Sequence, residues 1–305
     1  MNILHMKYAV EVAKAGSINK ASETLFIAQP NLSRSIKELE SDLGINIFDR
    51  SAKGMFLTSE GEEFIARAKK ILEDIDDVEN LYKGGTVKRK FSVSVPRASY
   101  MSDALANFAK GIGESDVEIF YEETNSSKTI KNVLSGDHKL GIIRYAQNYD
   151  KYFRAMLEEK ELAYEMIAEF RYLVVMNRES ELAKLDEIRF SDLEPYIEIA
   201  HADPYVPSLP VAVVRKEELP ENVRRRIFVY ERASQFDLLS ENKDVFMWVS
   251  PMPEKLLKRY DLVQRESPDN NKIYKDVLIY HKEYKLTSLD ELFISEVFKS
   301  SRHNL

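Results

Sequence analysis

Residues 17–44 read Ser17-Ile18-Asn19-Lys20-Ala21-Ser22-Glu23-Thr24-Leu25-Phe26-Ile27-Ala28-Gln29-Pro30-Asn31-Leu32-Ser33-Arg34-Ser35-Ile36-Lys37-Glu38-Leu39-Glu40-Ser41-Asp42-Leu43-Gly44, and this stretch decides the fold. Ser17 is a suitable N-cap, because its hydroxyl can accept from an orphan backbone N–H of the first turn. Ile18, Ala21 and Leu25 then recur at helical spacing. Phe26-Ile27-Ala28 is too short for an element and predicts a tight corner. Pro30 falls in the first turn of a second helix, where its missing N–H is not needed. Leu32, Ile36, Leu39 and Leu43 give that helix an apolar back, and Gly44 stops it. Its front carries Gln29, Asn31, Ser33, Arg34 and Lys37.

Two core helices with a solvated outer face would share this periodicity. The small Ala21 at the expected crossing, the short corner, and Gln and Arg at the start of the second helix favour another use. Gln pairs bidentately with adenine and Arg with guanine, each worth roughly 1–3 kcal/mol of discrimination. A helix that offers its N-terminal residues to the major groove is how helix-turn-helix motifs dock.

Around this motif the first eighty residues resemble the LysR-type transcriptional regulators. The resemblance rests on Ala21-Ser22-Glu23-Thr24-Leu25, Gln29-Pro30-Asn31-Leu32-Ser33-Arg34, Ile36-Lys37-Glu38-Leu39-Glu40, Leu43-Gly44, Ile47-Phe48-Asp49-Arg50 and Leu57-Thr58-Ser59-Glu60-Gly61. Ala28 stands where that family usually has a capping Ser, at a cost of about 1 kcal/mol to the helix. Ala9 stands where a larger aromatic residue is common. The resemblance implies an α/β protein with an N-terminal winged helix-turn-helix, a long linker helix and a C-terminal two-lobed periplasmic-binding-protein-like α/β effector domain. It also implies a homodimer or homotetramer on a pseudo-palindromic double-stranded DNA operator, a small-molecule effector, and RNA polymerase as a candidate partner.

The domain boundaries expected are 1–58 for the winged helix-turn-helix, 59–82 for a dimerisation helix, 83–90 for a hinge and 91–305 for the regulatory domain. Lobe I is expected at about 91–165 and 262–305, and lobe II at about 166–261. Residues 4–15 predict a bracing helix with Met6, Ala9, Val10 and Ala13 inward. Two short strands joined by Arg50-Ser51-Ala52-Lys53-Gly54 predict the wing. Expected DNA contacts are Ser17, Lys20, Gln29, Pro30, Asn31, Ser33, Arg34, Lys37, Arg50 and Lys53. Beyond Thr58, Phe64, Ala68, Ile71, Ile75, Val78 and Tyr82 are spaced 4, 3, 4, 3, 4, a heptad seam read as the dimer contact.

The 305 residues, 44% hydrophobic, are enough for two or three compact units. With no Cys, disulfides, thiolate metal sites and Cys nucleophiles are excluded. The five His show no metal-ligand spacing, and no Gly-rich phosphate loop is present, so neither catalytic residues, metal nor cofactor are expected. No charged leader with an apolar core opens the sequence, and no apolar run approaches the roughly 20 residues of a membrane span, so a cytoplasmic protein is expected. Net charge is −7, but residues 1–90 balance 14 basic against 14 acidic side chains, and the deficit lies in the remainder. Attraction to phosphate must therefore come from where the cations are placed.

From Phe91 onward strands and helices alternate, predicting parallel sheets flanked by helices. Strands are expected at Phe91–Val95, Val117–Tyr121, Leu140–Tyr145, Tyr172–Met176, Tyr196–Ala200, Ile227–Tyr230 and Val245–Val249. A helix with Leu105, Phe108 and Ala109 inward is expected over Tyr100–Lys110. The chain then returns to the first lobe through Leu262-Val263 and Ile273–Tyr280. Ligands of open α/β sheets collect at strand C-termini near helix starts. The candidate effector residues are Arg97, Ser99, Tyr100, Asn125, Ser126, Arg144, His201, Arg232, Ser234 and Trp248. Their hydroxyls and cations suit a small organic anion, with an aromatic or apolar part stacked near Tyr100 or Trp248. Two departures from the family pattern stand here. Asn242-Lys243-Asp244-Val245-Phe246-Met247-Trp248 replaces a Gly-rich turn, and Lys139 occupies a place often acidic. The alternatives are a regulator with a vestigial cleft and a cytosolic solute-binding protein; the Gln29–Lys37 front argues against the latter.

Overall fold

A computed structural model describes residues 2–51, 54–82, 89–113, 116–203 and 223–304. The chain divides into two compact units, Met1–Arg89 with Leu134–Asp137, and Lys90–Val133 with His138–Leu305.

In the first unit α1 (Ile3–Ala15), α2 (Ile18–Leu25) and α3 (Gln29–Leu43) enclose a core of Ala9, Val12, Ile18, Ala21, Leu32, Ile36, Leu39 and Ile47. On α1 the fully buried residues are Met6, Ala9 and Val12, with Val10 and Ala13 at the edge of the core. Ala21 has no exposed surface, as the close approach of α2 to the other helices requires. The corner works through Phe26, which takes a left-handed φ of 53°. Gly44 ends α3 at φ 72°, its N–H donating to Glu40 O at 2.9 Å. Ser17 sits at the N-cap position of α2 in extended conformation but makes no side-chain capping bond, so the expected hydroxyl cap is absent.

The wing is β1 (Phe48–Ser51) paired antiparallel with β2 (Gly54–Leu57). It starts later than the Ile45–Ile47 alternation suggests. Glu40 fastens it to α3, Oε1 accepting from Ile47 N at 2.9 Å and Phe48 N at 3.1 Å. Thr58 Oγ1 caps α4 (Ser59–Tyr82) by accepting from Gly61 N at 2.9 Å. A Cβ on Gly61 would lie 2.0 Å from Ile47 O, so only glycine lets α4 pass the wing this closely.

The heptad seam on α4 needs correction. Ala68 is 1% exposed and, with Leu72, packs on Met6 of α1; half-buried Phe64 packs there too. The same 3–4 spacing thus serves the unit's own core over the first half of the helix. Further along, Ile71, Val78 and Tyr82 are exposed and Ile75 is half-buried. Residues 83–88 of the expected hinge lie outside the described residues, and Arg89 and Lys90 already belong to the next strand.

The second unit holds two five-stranded sheets. One has the order β4 (Val117–Glu123), β3 (Arg89–Val95), β5 (Leu140–Ala146), β12 (Ile273–His281), β6 (Leu162–Arg171). The other has β11 (Leu262–Arg265), β7 (Leu173–Asn177), β10 (Val245–Val249), β8 (Ile197–His201), β9 (Arg225–Val229). We term these lobes I and II. Both sheets are mixed rather than parallel: β3–β5, β10–β8 and β8–β9 run parallel, while β12 is antiparallel to both neighbours and β7 to both of its own. Leu262-Val263 does not return to lobe I, because β11 pairs with β7 in lobe II; the return is made by β12.

Helices α5 (Ser99–Gly111), α6 (Ser126–Leu134), α7 (Asp150–Glu159) and α10 (Ser288–Asn304) belong to the stretches of chain that build lobe I. Helices α8 (Ala233–Glu241) and α9 (Glu254–Arg259) lie within those of lobe II. The lobe I core centres on Phe91, Phe108 and Phe293, with ring centroids 4.6 to 5.5 Å apart, a spacing suited to tilted and edge-to-face aromatic contacts. Ala104, not Ala109, is the buried alanine of α5; Ala109 is exposed.

Candidate functional site

Two groups of side chains are candidates, one in each unit. In the first unit the apolar back of α3 is spent on the core, which fixes the direction of its front. Gln29, Pro30, Asn31, Arg34 and Lys37 are exposed and Ser33 is half-exposed. Lys20 on α2 is exposed and Ser17 half-exposed. Arg34 Nε donates to Glu38 Oε1 at 2.9 Å, with the arginine side chain 81% exposed. Such an exposed i,i+4 pair contributes only about 0.3–0.5 kcal/mol, so the guanidinium exchanges this partner readily. Phe26, at the corner just before α3, is 96% exposed, which sequence did not foretell. The backbone of Arg50 lies in β1, and Lys53 lies outside the described residues.

This front is a row of bidentate donors and acceptors on the first turns of a helix whose other side is buried, beside a two-stranded wing. The matching sequence family is described as "Bacterial regulatory helix-turn-helix protein, lysR family", over residues 3–62. The N-terminal unit is a LysR-family helix-turn-helix domain. Among curated relatives, the uncharacterized HTH-type transcriptional regulator YnfL of Escherichia coli K12 is 30% identical over 150 residues, 47% of this chain. The chain spans half the length of that relative. Among solved structures, a full-length OxyR variant from Pseudomonas aeruginosa covers 100% of this chain and 98% of its own at 15% identity and a TM-score of 0.62. Full-length CbnR complexed with its target DNA covers 98% of this chain and 100% of its own at 18% identity and a TM-score of 0.55. These likenesses extend the LysR-type fold over the whole chain: an N-terminal helix-turn-helix followed by a two-lobed α/β domain.

Within the second unit, the candidate effector residues divide sharply. Arg144 on β5 lies directly opposite Asp276 on β12. That register delivers a bidentate pair, with Nε to Oδ1 at 2.7 Å and Nη2 to Oδ2 at 2.6 Å, and Asp276 has no exposed surface. Tyr100, also fully buried, donates its hydroxyl to Asp276 Oδ2. Burial and the neighbouring Asp276 both push the Tyr100 hydroxyl well above its usual pKa. For Arg144 burial works toward deprotonation, but the Asp276 carboxylate overrides it and holds the guanidinium charged. The Arg144 guanidinium also sits 4.7 Å from the Phe170 ring centre, a cation–π distance. Ser126 Oγ accepts from Arg144 N at 2.9 Å and donates to Arg144 O at 2.7 Å.

Arg97 follows β3 and pairs with Asp203, which follows β8, through Nη1–Oδ1 at 2.8 Å and Nη2–Oδ2 at 3.1 Å. Asn125 Oδ1 caps α6 by accepting from Lys128 N at 3.0 Å, and this turns its Nδ2 toward Asp203. Arg232 Nε donates to both oxygens of Glu123, at 2.9 and 2.8 Å. Burial first, and then the Arg97 guanidinium, lower the His201 pKa to about 4, so that imidazole is neutral at pH 7. Arg97 Nε and His201 Nδ1 are buried and have no hydrogen-bond partner among the described residues.

The expectation of four cations open to an anion is therefore corrected. Three of them end on carboxylates and the fourth carries no charge. The expected ring stacking also fails: Tyr100 is in the core, and Trp248 packs edge-to-face on Phe190 at 5.9 Å among lobe II core residues. Ser99 is buried, and its carbonyl accepts from Ser102 Oγ at 3.0 Å. Ser234 is exposed and bonds Glu231 in a local cap. What sequence reasoning missed are the counter-carboxylates Asp203, Asp276 and Glu123, which lie 106, 132 and 109 residues from their partners. No cluster of three His, Asp or Glu suited to a metal is found among the described residues. Among them, too, no helix is long and apolar enough to cross a membrane.

Proposed function

We propose that this chain is a sequence-specific DNA-binding regulator of transcription. In this reading α3 enters the major groove, with Gln29, Asn31, Ser33 and Arg34 toward base edges and Lys20 and Lys37 toward phosphates. The observation that carries it is the outward row on α3, which contributes almost nothing to the fold that holds it. Exposed side chains whose described ion pair, Arg34 with Glu38, is weak and exchangeable, on a helix held from behind by its core residues, are placed for an external partner.

The helix α4 supplies the dimer contact through Ile71, Ile75, Val78 and Tyr82, an apolar strip left over once Phe64 and Ala68 are assigned to the core. Two α3 helices then read two half-sites of a pseudo-palindrome. The second unit is the part that responds to a small molecule, and a tetramer would let that response change DNA geometry. RNA polymerase as a partner, a cytoplasmic location and the absence of any catalysed reaction belong to the same proposal. A ligand acts only through different affinities for two states of the second unit.

The test is an electrophoretic shift and footprint with the DNA upstream of the chain's own coding sequence. The expected footprint covers two half-sites spaced by whole helical turns, about 10 base pairs or a multiple. Equal binding to that DNA and to a scrambled duplex, at every salt concentration, would contradict the reading.

A further inference from the structure

The front of α3 carries a carboxylate beside its arginine. The Glu38 side chain is 49% exposed, and its Oε1 accepts from Arg34 Nε at 2.9 Å. Its other oxygen, Oε2, lies 4.0 Å from Nε2 of His5 on α1. The half-buried His5 ring stacks on Tyr8 with centroids 6.4 Å apart. The carboxylate therefore lies between a ring of α1 and the guanidinium of α3. Neither helix stability nor attraction to DNA accounts for it there. Arginine four residues before glutamate is the less favourable order of an i,i+4 pair. A negative charge on a face turned toward phosphates lowers affinity for every duplex alike. Glu40, by contrast, is used by the fold, since its Oε1 holds the wing through Ile47 N and Phe48 N.

We infer that Glu38 is a positioning residue for base reading: by occupying Nε of Arg34 it leaves Nη1 and Nη2 to meet a guanine end-on. This deepens the DNA-binding reading of α3 and rests on it. A guanidinium has a side-on fork, which uses Nε, and an end-on fork, which uses the two Nη groups. With Nε given to Glu38, the end-on fork is the one that remains for O6 and N7 of guanine. Among the described residues Arg34 makes no other hydrogen bond or ion pair, so both Nη groups are open to a base. A long exposed side chain also loses rotamer freedom when a base fixes it, and a partner already in place lowers that cost. The pair is weak in solvent. In the groove, water is excluded around it, and a charge-assisted bond strengthens as the local dielectric falls.

The experiment is an anisotropy titration of the full chain with the upstream duplex, the scrambled duplex and a panel of upstream duplexes. Each member of the panel has one base pair of the half-site changed in both halves. Arg34→Ala identifies the pair that Arg34 reads, as the one whose change no longer matters. At that pair Glu38→Ala should lower the preference about 3- to 10-fold. Its affinity for the scrambled duplex should rise about 2- to 5-fold, because a repelling charge has gone. A purely structural or electrostatic role would move all duplexes alike and leave the preference unchanged. Glu38→Gln, whose amide oxygen still accepts from Nε, should keep more of the preference than Glu38→Ala. The double variant, Arg34→Ala with Glu38→Ala, should be no less selective than Arg34→Ala alone. Alanine at an exposed helix position favours the helix, so Glu38→Ala should fold, and Glu38→Ser is read by the same criteria. An unchanged preference in Glu38→Ala would overturn the inference, as would additive losses in the double variant or a loss in Glu38→Gln as full as in Glu38→Ala. A loss at a different base pair would also overturn it, and would make Glu38 itself a reader of cytosine. A wild type that does not distinguish upstream from scrambled DNA fails the regulatory reading, and this inference with it. A selective wild type beside an unaltered Glu38→Ala, or an unaltered Arg34→Ala, fails this inference alone.

Discussion

On α3, Gln29, Asn31, Arg34 and Lys37 stand in solvent, while in the second unit Arg97, Arg144 and Arg232 each end on a carboxylate. Both sets look alike in sequence: cations and amides at the start of a helix or the end of a strand. The structure separates them by what removal would cost the fold. The α3 front can be stripped with its core intact, because Leu32, Ile36 and Leu39 hold the helix from behind. Arg144 and Arg232 cannot, because their partners Asp276 and Glu123 are buried or nearly so, whereas Asp203, the partner of Arg97, keeps 31% of its surface. A polar residue is a candidate for external recognition in proportion to how little its own chain uses it.

This contrast is tested most severely at Asp276. Asp276→Ala leaves the Arg144 guanidinium charged and buried, and should destabilise the second unit by about 3–5 kcal/mol in urea denaturation followed at Trp248. A loss under about 1 kcal/mol would place Arg144 with the α3 residues and break the comparison. Arg34→Ala, by contrast, should change the stability of the first unit by no more than about 0.5 kcal/mol.

The next effect is one of pH. Because folding holds His201 at about 4 against 6.5 for an ordinary histidine, the unfolded chain takes up a proton between those values and the folded chain does not. Stability of the second unit should therefore be constant above about pH 6.5 and fall as pH drops toward 4. The loss from this group is on the order of 3 kcal/mol. Burial of the imidazole sets most of it; Arg97 and Arg144 further disfavour the imidazolium, while Asp203 and the Val229 backbone favour it. Denaturation midpoints at pH 7, 5.5 and 4.5 should show this slope in the wild type and a shallower one in His201→Gln; equal slopes would contradict the assignment.

The smallest effect lies at the start of α3. Ala28 is its N-cap in extended conformation and makes no side-chain bond. Pro30 has no N–H to offer, so Asn31 N is the one amide a new hydroxyl can reach from this cap. Ala28→Ser should stabilise the first unit by about 1 kcal/mol or less, read by circular dichroism on heating. A loss would mean that the bond Asn31 N already makes to Ala28 O, at 2.9 Å, outweighs the one a new hydroxyl offers.

The first unit was nearly all legible in sequence, because its elements are punctuated locally by Ala21, Pro30, Gly44 and Thr58. Most strands of the second unit were legible too, since apolar runs mark them. Pairing was not. Nothing in Leu262-Val263 says that it joins β7 rather than lobe I, and β6, Leu162–Arg171, reads as strand only once β12 lies beside it. The α4 seam misled because one spacing serves two purposes: Phe64 and Ala68 pack inward, while Ile71, Val78 and Tyr82 face out. At the lobes, residue types at strand ends were legible but their counter-charges were not. A pair such as Arg144 and Asp276 exists only through the register of β5 on β12.

The central claim is that the α3 front reads bases, and fluorescence anisotropy measures it directly. Wild type, Gln29→Ala and Arg34→Ala are each titrated with the upstream DNA and with a scrambled duplex at one fixed salt concentration. The account predicts that each substitution lowers the ratio of the two affinities by roughly 10- to 100-fold, the equivalent of about 1–3 kcal/mol, while binding to the scrambled duplex falls far less. An unchanged ratio in both variants would contradict it.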